Sequence, residues 1–555
     1  MFRMDARIQI ASAICVVALA VYGTEKKIIG HSWDLLAIRP EDVVRNLDAL
    51  KGIPLDGISL TIKKELPDGV SIGYNSIMRD PKWDKKWFSQ DVKTVQQCSS
   101  RNLKHNFLIS FWAPQKRLAW NDDAAWARFA HNIGVFAWLA REGRAKGIMI
   151  DHEDYTKARQ YFLADNDAPY AKTAALARRR GAQVMESIAA EYPDITLLSF
   201  WMFSFHPNWF RDEDPVAAAA EASDLWPAFL NGMLSALPPN ARMIDGNEHG
   251  YLYEAAKRDF YMSSVMMQNK ALKLVDDVNR IKYTTQVLAG FGLYLDMYTN
   301  PNKPPYYFGE LNGSRLNHLR SNFAQALDAA QEYVWIYGEK MDWIKWKGTG
   351  REKNPTWEEG LPGFLSTLGR LRNPRQWAEK FIAEHHLTGK PTNCIANAAC
   401  TLAKVETTTP FRQGVLPGGW WGWQDDKVRQ GIFGTDTQKG RKDNFSLCAV
   451  GVAQGSFGTS CKAAPGNEFI VEAYAQGDKP SLTIAWKRSG TWDWSLPRTQ
   501  LRFSKAGSDG WRQALGTVEV PEGADELVVM LNVRQAEGER TWFDDVGLYL
   551  LSDQH

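Results

Sequence analysis

Two carboxylates stand two residues apart at the end of an apolar run, Gly147-Ile-Met-Ile-Asp151-His152-Glu153-Asp154-Tyr155. Side chains alternate along an extended strand, so Met149, Asp151 and Glu153 share one face, and Ile148, Ile150 and His152 the other. The isoleucines suit a covered face, which leaves Asp151 and Glu153 directed together toward an open mouth. Carboxyl groups held on one face raise each other's pKa, and one can then stay protonated near neutrality and serve as an acid. The run Met243-Ile-Asp245-Gly-Asn-Glu248-His249-Gly-Tyr251 places acids among a glycine, a histidine and a tyrosine. In Trp335-Ile-Tyr337-Gly-Glu339-Lys340, the residues Trp335, Tyr337 and Glu339 share a face. Tyr294 and Asp296 close another apolar run.

One carboxyl group to protonate a leaving oxygen, and a second to attack carbon or activate water, is what glycosidic bond cleavage requires; their separation decides between retention and inversion. Asp151, Glu153, Asp245, Glu248 and Glu339 are the acids from which such a pair is expected. Indoles offer flat faces for sugar rings, and the 23 tryptophans include several at the same strand ends. Trp33, Asp34, Trp112, Trp201, His249, Asp296, Trp335 and Tyr337 are therefore expected to contact a carbohydrate. A rival reading keeps the aromatic platforms and lets the acids only hydrogen-bond hydroxyls, giving a glycan-binding protein without turnover. A metal-dependent hydrolase would draw on His31, His152 and His249, but His152 has the wrong parity to join Asp151 and the first strand lacks a His-x-His pair. No cofactor is expected in catalysis, and no phosphate-binding glycine loop follows a strand.

These residues need a frame that brings several strand ends together. Eight β-rich runs, at 27–34, 57–62, 106–113, 147–154, 195–202, 242–247, 286–296 and 332–339, alternate with helical stretches at 40–50, 122–142, 170–192, 217–235 and 315–331. That alternation predicts a (β/α)8 TIM barrel over 25–385, whose chemistry sits at the C-terminal strand ends. Past 386–404, read as a linker, the composition turns to Gly, Trp, Thr and Val with frequent turn signals, which predicts an all-β jelly-roll sandwich over 405–555.

The first 23 residues read as a signal peptide, a basic start followed by a short apolar run, and imply a secreted or periplasmic protein without stable membrane insertion once the leader is gone. With Cys15 removed in the leader, Cys394/Cys400 and Cys448/Cys461 are near enough in sequence to close short loops, leaving Cys98 over. A formal charge of +2, from 66 basic and 64 acidic residues, provides no field to gather nucleic acid.

The barrel portion resembles the (β/α)8 glycoside hydrolases of bacterial polysaccharide degradation through "GIMIDHEDY", "MIDGNEHGY" and "YVWIYGEKMDW". "IDHE" is similar to the end of the chitinase-type fourth-strand motif, but Gly147 and Met149 stand where that motif has upstream aspartates. The placement of acids on the fourth and sixth strands looks like the α-galactosidase arrangement, which implies Asp151 as nucleophile and Asp245 or Glu248 as acid/base. The last 150 or so residues resemble a jelly-roll carbohydrate-binding module through "GWWGWQ", "GIFGTD", "APGNEFIVEAYAQG" and "TWFDDVGLYLL". That resemblance implies a structural calcium near Asp544 or Asp545. It also makes Trp420, Trp421, Trp423, Trp492 and Trp494 the stacking candidates, at least two of them expected in the core.

Overall fold

The computed structural model describes residues 26–79, 81–99, 102–156, 159–205, 214–389, 392–402, 410–477 and 479–551. The predicted leader and Cys15 lie outside them. Two compact units divide at Arg372 and Asn373.

In the first unit all strand neighbours in the main sheet run parallel. They are β1 (Lys27–Gly30), β2 (Gly57–Leu60), β3 (Phe107–Phe111), β4 (Gly147–Asp151), β5 (Thr196–Ser199), β6 (Arg242–Asp245), β7 (Val287–Ala289), β8 (Phe291–Tyr294) and β9 (Tyr333–Tyr337). Each pairs with the next from β1 to β7; β8 then pairs with β9, and β9 returns to β1. β7 and β8 are halves of one strand bent at Gly290, and the ring closes through that bend. A Cβ at Gly290 would approach both Ile244 Cγ2 and the Tyr333 carbonyl to 2.9 Å, so the close passage requires glycine. The expected barrel is thus present, with its seventh strand split.

Alternation sorts the barrel residues into two cores. Ile29, Phe107, Ile109, Met149, Leu198, Ile244, Tyr333 and Trp335 fill the interior. Ile28, Leu108, Ile148, Ile150, Leu197, Met243 and Val334 face the surrounding helices. Among those helices, Asp123–Glu142 starts where the Asp122 side chain accepts the Ala125 N–H at 3.0 Å. Helix Tyr170–Glu191 lies hard against helix Trp226–Ala236, because Gly181 and Gly232 each admit the other's backbone where a Cβ would come within 1.9 Å of a carbonyl oxygen. The single helix expected over 217–235 is two, Pro215–Glu221 and Trp226–Ala236. Ser223 takes a left-handed φ of 58°, and the Asp224 side chain then accepts the Trp226 N–H at 2.7 Å, restarting the helix.

The second unit is a sandwich of two antiparallel sheets. One runs, in order, Phe411–Gln413, Ile432–Asp436, Ser446–Val450, Arg540–Leu551, Glu468–Gly477 and Arg512–Glu519. The other runs Trp421–Gln424, Gly455–Lys462, Glu526–Val533, Ser481–Arg488 and Thr491–Trp492, with Thr499–Arg502 also on Ser481–Arg488. Phe457, Val471, Ile484, Trp486, Leu531 and Phe543 pack in its core. Helix Pro374–Thr388 belongs here, its Ala378 and Ile382 packed with Ile470, Leu515 and Tyr549. The Cys394 N–H donates to the Leu548 carbonyl at 2.8 Å, and Ile395 and Cys400 join the sandwich core.

The five described cysteines are free thiols. Cys448 lies in one sheet beside Trp542 and Cys461 in the other beside Leu527, so the loop closure expected between them does not form. Cys461 instead neighbours Cys394, whose thiol hydrogen-bonds its own; burial first, and then that neighbour, push Cys461 up to about 12. Of Asp544 and Asp545, expected near a calcium, the first is held by backbone N–H groups and the second faces cationic side chains. Asp544 accepts the backbone N–H groups of Arg441 and Asp545, both at 2.7 Å, and Asp545 pairs with Arg441 at 2.7 Å and Lys442 at 3.3 Å.

Candidate active site

β4 delivers Asp151 to the mouth as the inward partner of Met149. The chain then turns, and the Glu153 N–H donates back to Asp151 Oδ1 at 2.8 Å, which fixes Asp151 and brings Glu153 over the same opening. The Tyr155 hydroxyl donates to Glu153. Glu248 arrives from β6 by a different device. Asn247 adopts φ 36°, held by its side-chain donation to Ser263 Oγ at 2.7 Å, and the 3-10 turn Glu248–Leu252 follows, with the Glu248 N–H on the Phe200 carbonyl at 3.0 Å. Glu248 Oε2 is buried with no hydrogen-bond partner among the described residues.

The three carboxyl groups act on one another. Burial, and then the Glu153 charge, push Asp151 up to about 7. Burial also raises Glu153. Glu248 is held well above the ordinary carboxylate range by burial and by the charges of Glu153 and Asp151. Desolvation and like charge both disfavour ionisation, so the cluster holds protons at a pH where exposed acids have lost theirs.

Asp245, the other acid expected from β6, points away. Ile244 faces the barrel interior, so by alternation Asp245 faces the helices. There it accepts the N–H groups of Met202 at 3.0 Å and Ser204 at 2.9 Å, together with the Ser204 hydroxyl, and straps down the segment after β5. Asp34 is likewise structural: wholly buried, it accepts the Trp343 N–H at 2.9 Å, the Trp346 indole N–H at 2.7 Å and the Ser32 hydroxyl. Trp112, expected at the mouth, follows inward-facing Phe111 and so lies outside the barrel, fully buried edge-on to Phe129 and Phe229.

The remaining aromatic residues build the mouth in layers. Trp335 is its floor, stacked on Phe200 at 4.2 Å, with its indole N–H on the Gly246 carbonyl at 2.8 Å. Trp201 is nearly buried, 5.9 Å from His249. Trp33 is 52% exposed, and it acts on the Tyr337 hydroxyl. Tyr337 donates to Glu339 Oε1 at 3.1 Å, and the same carboxylate acts on Tyr294, whose hydroxyl is pushed up by burial and by the charges of Asp296 and Glu339. Beneath that carboxylate, Asp296 accepts the Glu339 N–H at 2.8 Å.

Two further residues of this mouth were not among those expected to contact carbohydrate. Tyr251 stacks parallel on Tyr337 at 5.9 Å and feels the charges of Glu248, Glu153 and Asp151. His31 stacks on Tyr337 at 5.5 Å, hydrogen-bonds Ser59 through Nδ1 at 2.8 Å, and is pushed down to about 3 by burial, which leaves it neutral. Its alternation with inward Ile29 was the available signal. His152, by contrast, is outside the barrel, stacked on Trp226 at 4.0 Å.

In the second unit Trp492 and Trp494 stack in parallel at 4.9 Å, with Trp421 edge-on to Trp492 at 6.2 Å. Trp494 and Trp423 are 57% and 50% exposed. Of the five tryptophans noted in this region only Trp420 is buried, against the two expected.

No family model matches the chain, and no curated protein matches it. Among solved structures it is similar to the enzymatically active domain of bacteriophage CBA120 tailspike protein 4, at 15% identity over 24% of this chain and 20% of that one, with a TM-score of 0.21. It is also similar to the CBM22-1–GH10 modules of Clostridium thermocellum endo-1,4-β-D-xylanase 10B, at 12% identity over 24% and 26%, with a TM-score of 0.20. A third is a structure described as "CBM4 structure and function", at 14% identity over 28% and 99%, again with a TM-score of 0.20. The match spans about a fifth of the first of these proteins and a quarter of the second. Likenesses of this size leave the functional reading to the site itself.

Proposed function

We propose that the chain is an exported glycoside hydrolase, with Glu248 as the acid and Asp151 as its ionised partner. The observation that carries this reading is the convergence of Asp151, Glu153 and Glu248 on one aromatic-lined mouth, with a Glu248 oxygen buried and unpartnered. Burial and the charges of Glu153 and Asp151 hold Glu248 well above the ordinary carboxylate range, and burial and Glu153 push Asp151 up to about 7. Glu248 gives its proton to the glycosidic oxygen as the bond from that oxygen to the anomeric carbon breaks. Asp151 either forms a bond to the same carbon or takes a proton from the water that does so. The Glu153 charge keeps the Asp151 pKa up, and Trp33, Tyr251 and Tyr337 offer ring faces to the sugar.

The stacked Trp492/Trp494 pair, with Trp494 exposed, supports a second role, glycan adsorption by the sandwich, which stands whether or not the barrel turns substrate over. Incubating the purified protein with plant, algal and animal glycans tests the main reading. New reducing ends are expected from wild type and not from Glu248→Gln; silence of the wild type across the panel, with glycan binding retained, would leave a binding protein.

A further inference from the structure

We propose that the mouth contains a cation subsite formed by Trp33, Tyr294, Tyr337 and Glu339, and that the glycan it takes carries free amino groups. This rests on the hydrolase reading and names its substrate class. Hydrolysis uses two carboxyl groups, whereas this mouth gathers Asp151, Glu153 and Glu248 on one side and Asp296 and Glu339 on the other. Tyr251 joins the two sides, stacked on Tyr337 and within reach of the first three charges.

The second side has the form of an ammonium site. Trp33 lies close enough to act on the Tyr337 hydroxyl, and its half-exposed ring is open to a ligand. The Tyr294 and Tyr337 rings lie 5.4 Å apart, tilted by 30°; the Tyr337 hydroxyl donates to Glu339, whose charge also acts on Tyr294. Half-exposed Tyr306 meets Tyr294 edge-on at 6.2 Å. Aromatic faces are electron-rich and attract cations, most strongly beside a carboxylate. Asp296 is wholly buried below Glu339; one oxygen holds the Glu339 N–H, and its Oδ1 has no hydrogen-bond partner among the described residues.

Among the described residues, the protein's own cations meet this demand only in part. Lys340, whose charge reaches Asp296, hydrogen-bonds the Asn300 side chain, and the neighbours that act on Asp151 and Glu248 are other acids. A uronate or sulfated sugar would add repulsion here, and a neutral sugar would bring the second carboxylate pair no charge beyond that of Lys340. An ammonium group on the sugar ring supplies the further charge.

The test is calorimetric binding to the full-length Asp151→Asn protein, which is expected to bind without turnover. The probes are fully deacetylated oligomers of glucosamine and of galactosamine, their N-acetylated counterparts, and glucose oligomers. At least one deacetylated series is expected to bind about tenfold or more tighter than its acetylated form. The preference should fade as pH rises through the sugar amine's own titration, a readout that needs no further substitution. Adding Glu339→Gln should remove the preference, bringing the deacetylated and acetylated series to the same affinity. Equal affinity for both forms, or a preference that survives Glu339→Gln, would overturn the proposal. The two readings also fail separately. Preference without reducing ends from the wild type would sink the hydrolase reading alone, whereas turnover of neutral or acetylated glycans without preference would sink this one alone.

Discussion

Asp151 and Asp245 each close a parallel strand of the same barrel, one strand apart, yet they do opposite work. Asp151 follows inward Met149 and opens to the mouth, where burial and Glu153 keep its proton to about pH 7. Asp245 follows inward Ile244, faces the helices, and has its oxygens filled by Met202 and Ser204. A carboxylate at a strand end is therefore not a site by position alone; the parity of the residue before it decides whether it meets substrate or ties a loop.

The largest effect expected from this contrast is on turnover. Glu248→Gln should lower the rate on natural glycans by about a thousandfold. It should do so far less on aryl glycosides whose leaving groups need no proton, while Asp151→Asn should silence both; rates on the paired substrates check this. A smaller contrast separates the two tryptophans. Trp112→Ala leaves a cavity among Phe129 and Phe229 and should cost about 3–5 kcal/mol of stability by denaturant unfolding. Trp33→Ala should leave stability nearly unchanged and raise KM.

Next comes a pH effect on stability. In the unfolded chain Asp151 ionises in the usual carboxylate range, and in the folded protein it keeps its proton to about pH 7. Through that window the folded state binds more protons, so stability falls as pH rises. Thermal melts of Asp151→Asn should match wild type at pH 4 and exceed it by several degrees at pH 8. The smallest effect belongs to the sandwich: Trp494→Ala should weaken adsorption to insoluble glycan, seen in pull-down assays, by less than complete loss.

The barrel and the inward set Met149 and Asp151 were legible in the sequence because alternation and repeat are local. Asp245 and Trp112 were misplaced for want of the same test, since Ile244 and Phe111 already occupy the inner face. Glu248 is a different case. It lies three residues past the strand and reaches the mouth only through left-handed Asn247, held by Ser263. Asp34 depends on Trp343 and Trp346 across the barrel seam, and Cys461 meets Cys394 from a distant segment; sequence spacing carries neither contact.

The central claim is that parity separates a reacting aspartate from a tying one. The direct measurement is release of reducing ends by wild type, Asp151→Asn and Asp245→Asn, with circular dichroism to verify folding. Release by wild type and Asp245→Asn, with none from Asp151→Asn, is the predicted result. Release by Asp151→Asn, or its loss in a folded Asp245→Asn protein, would contradict the account.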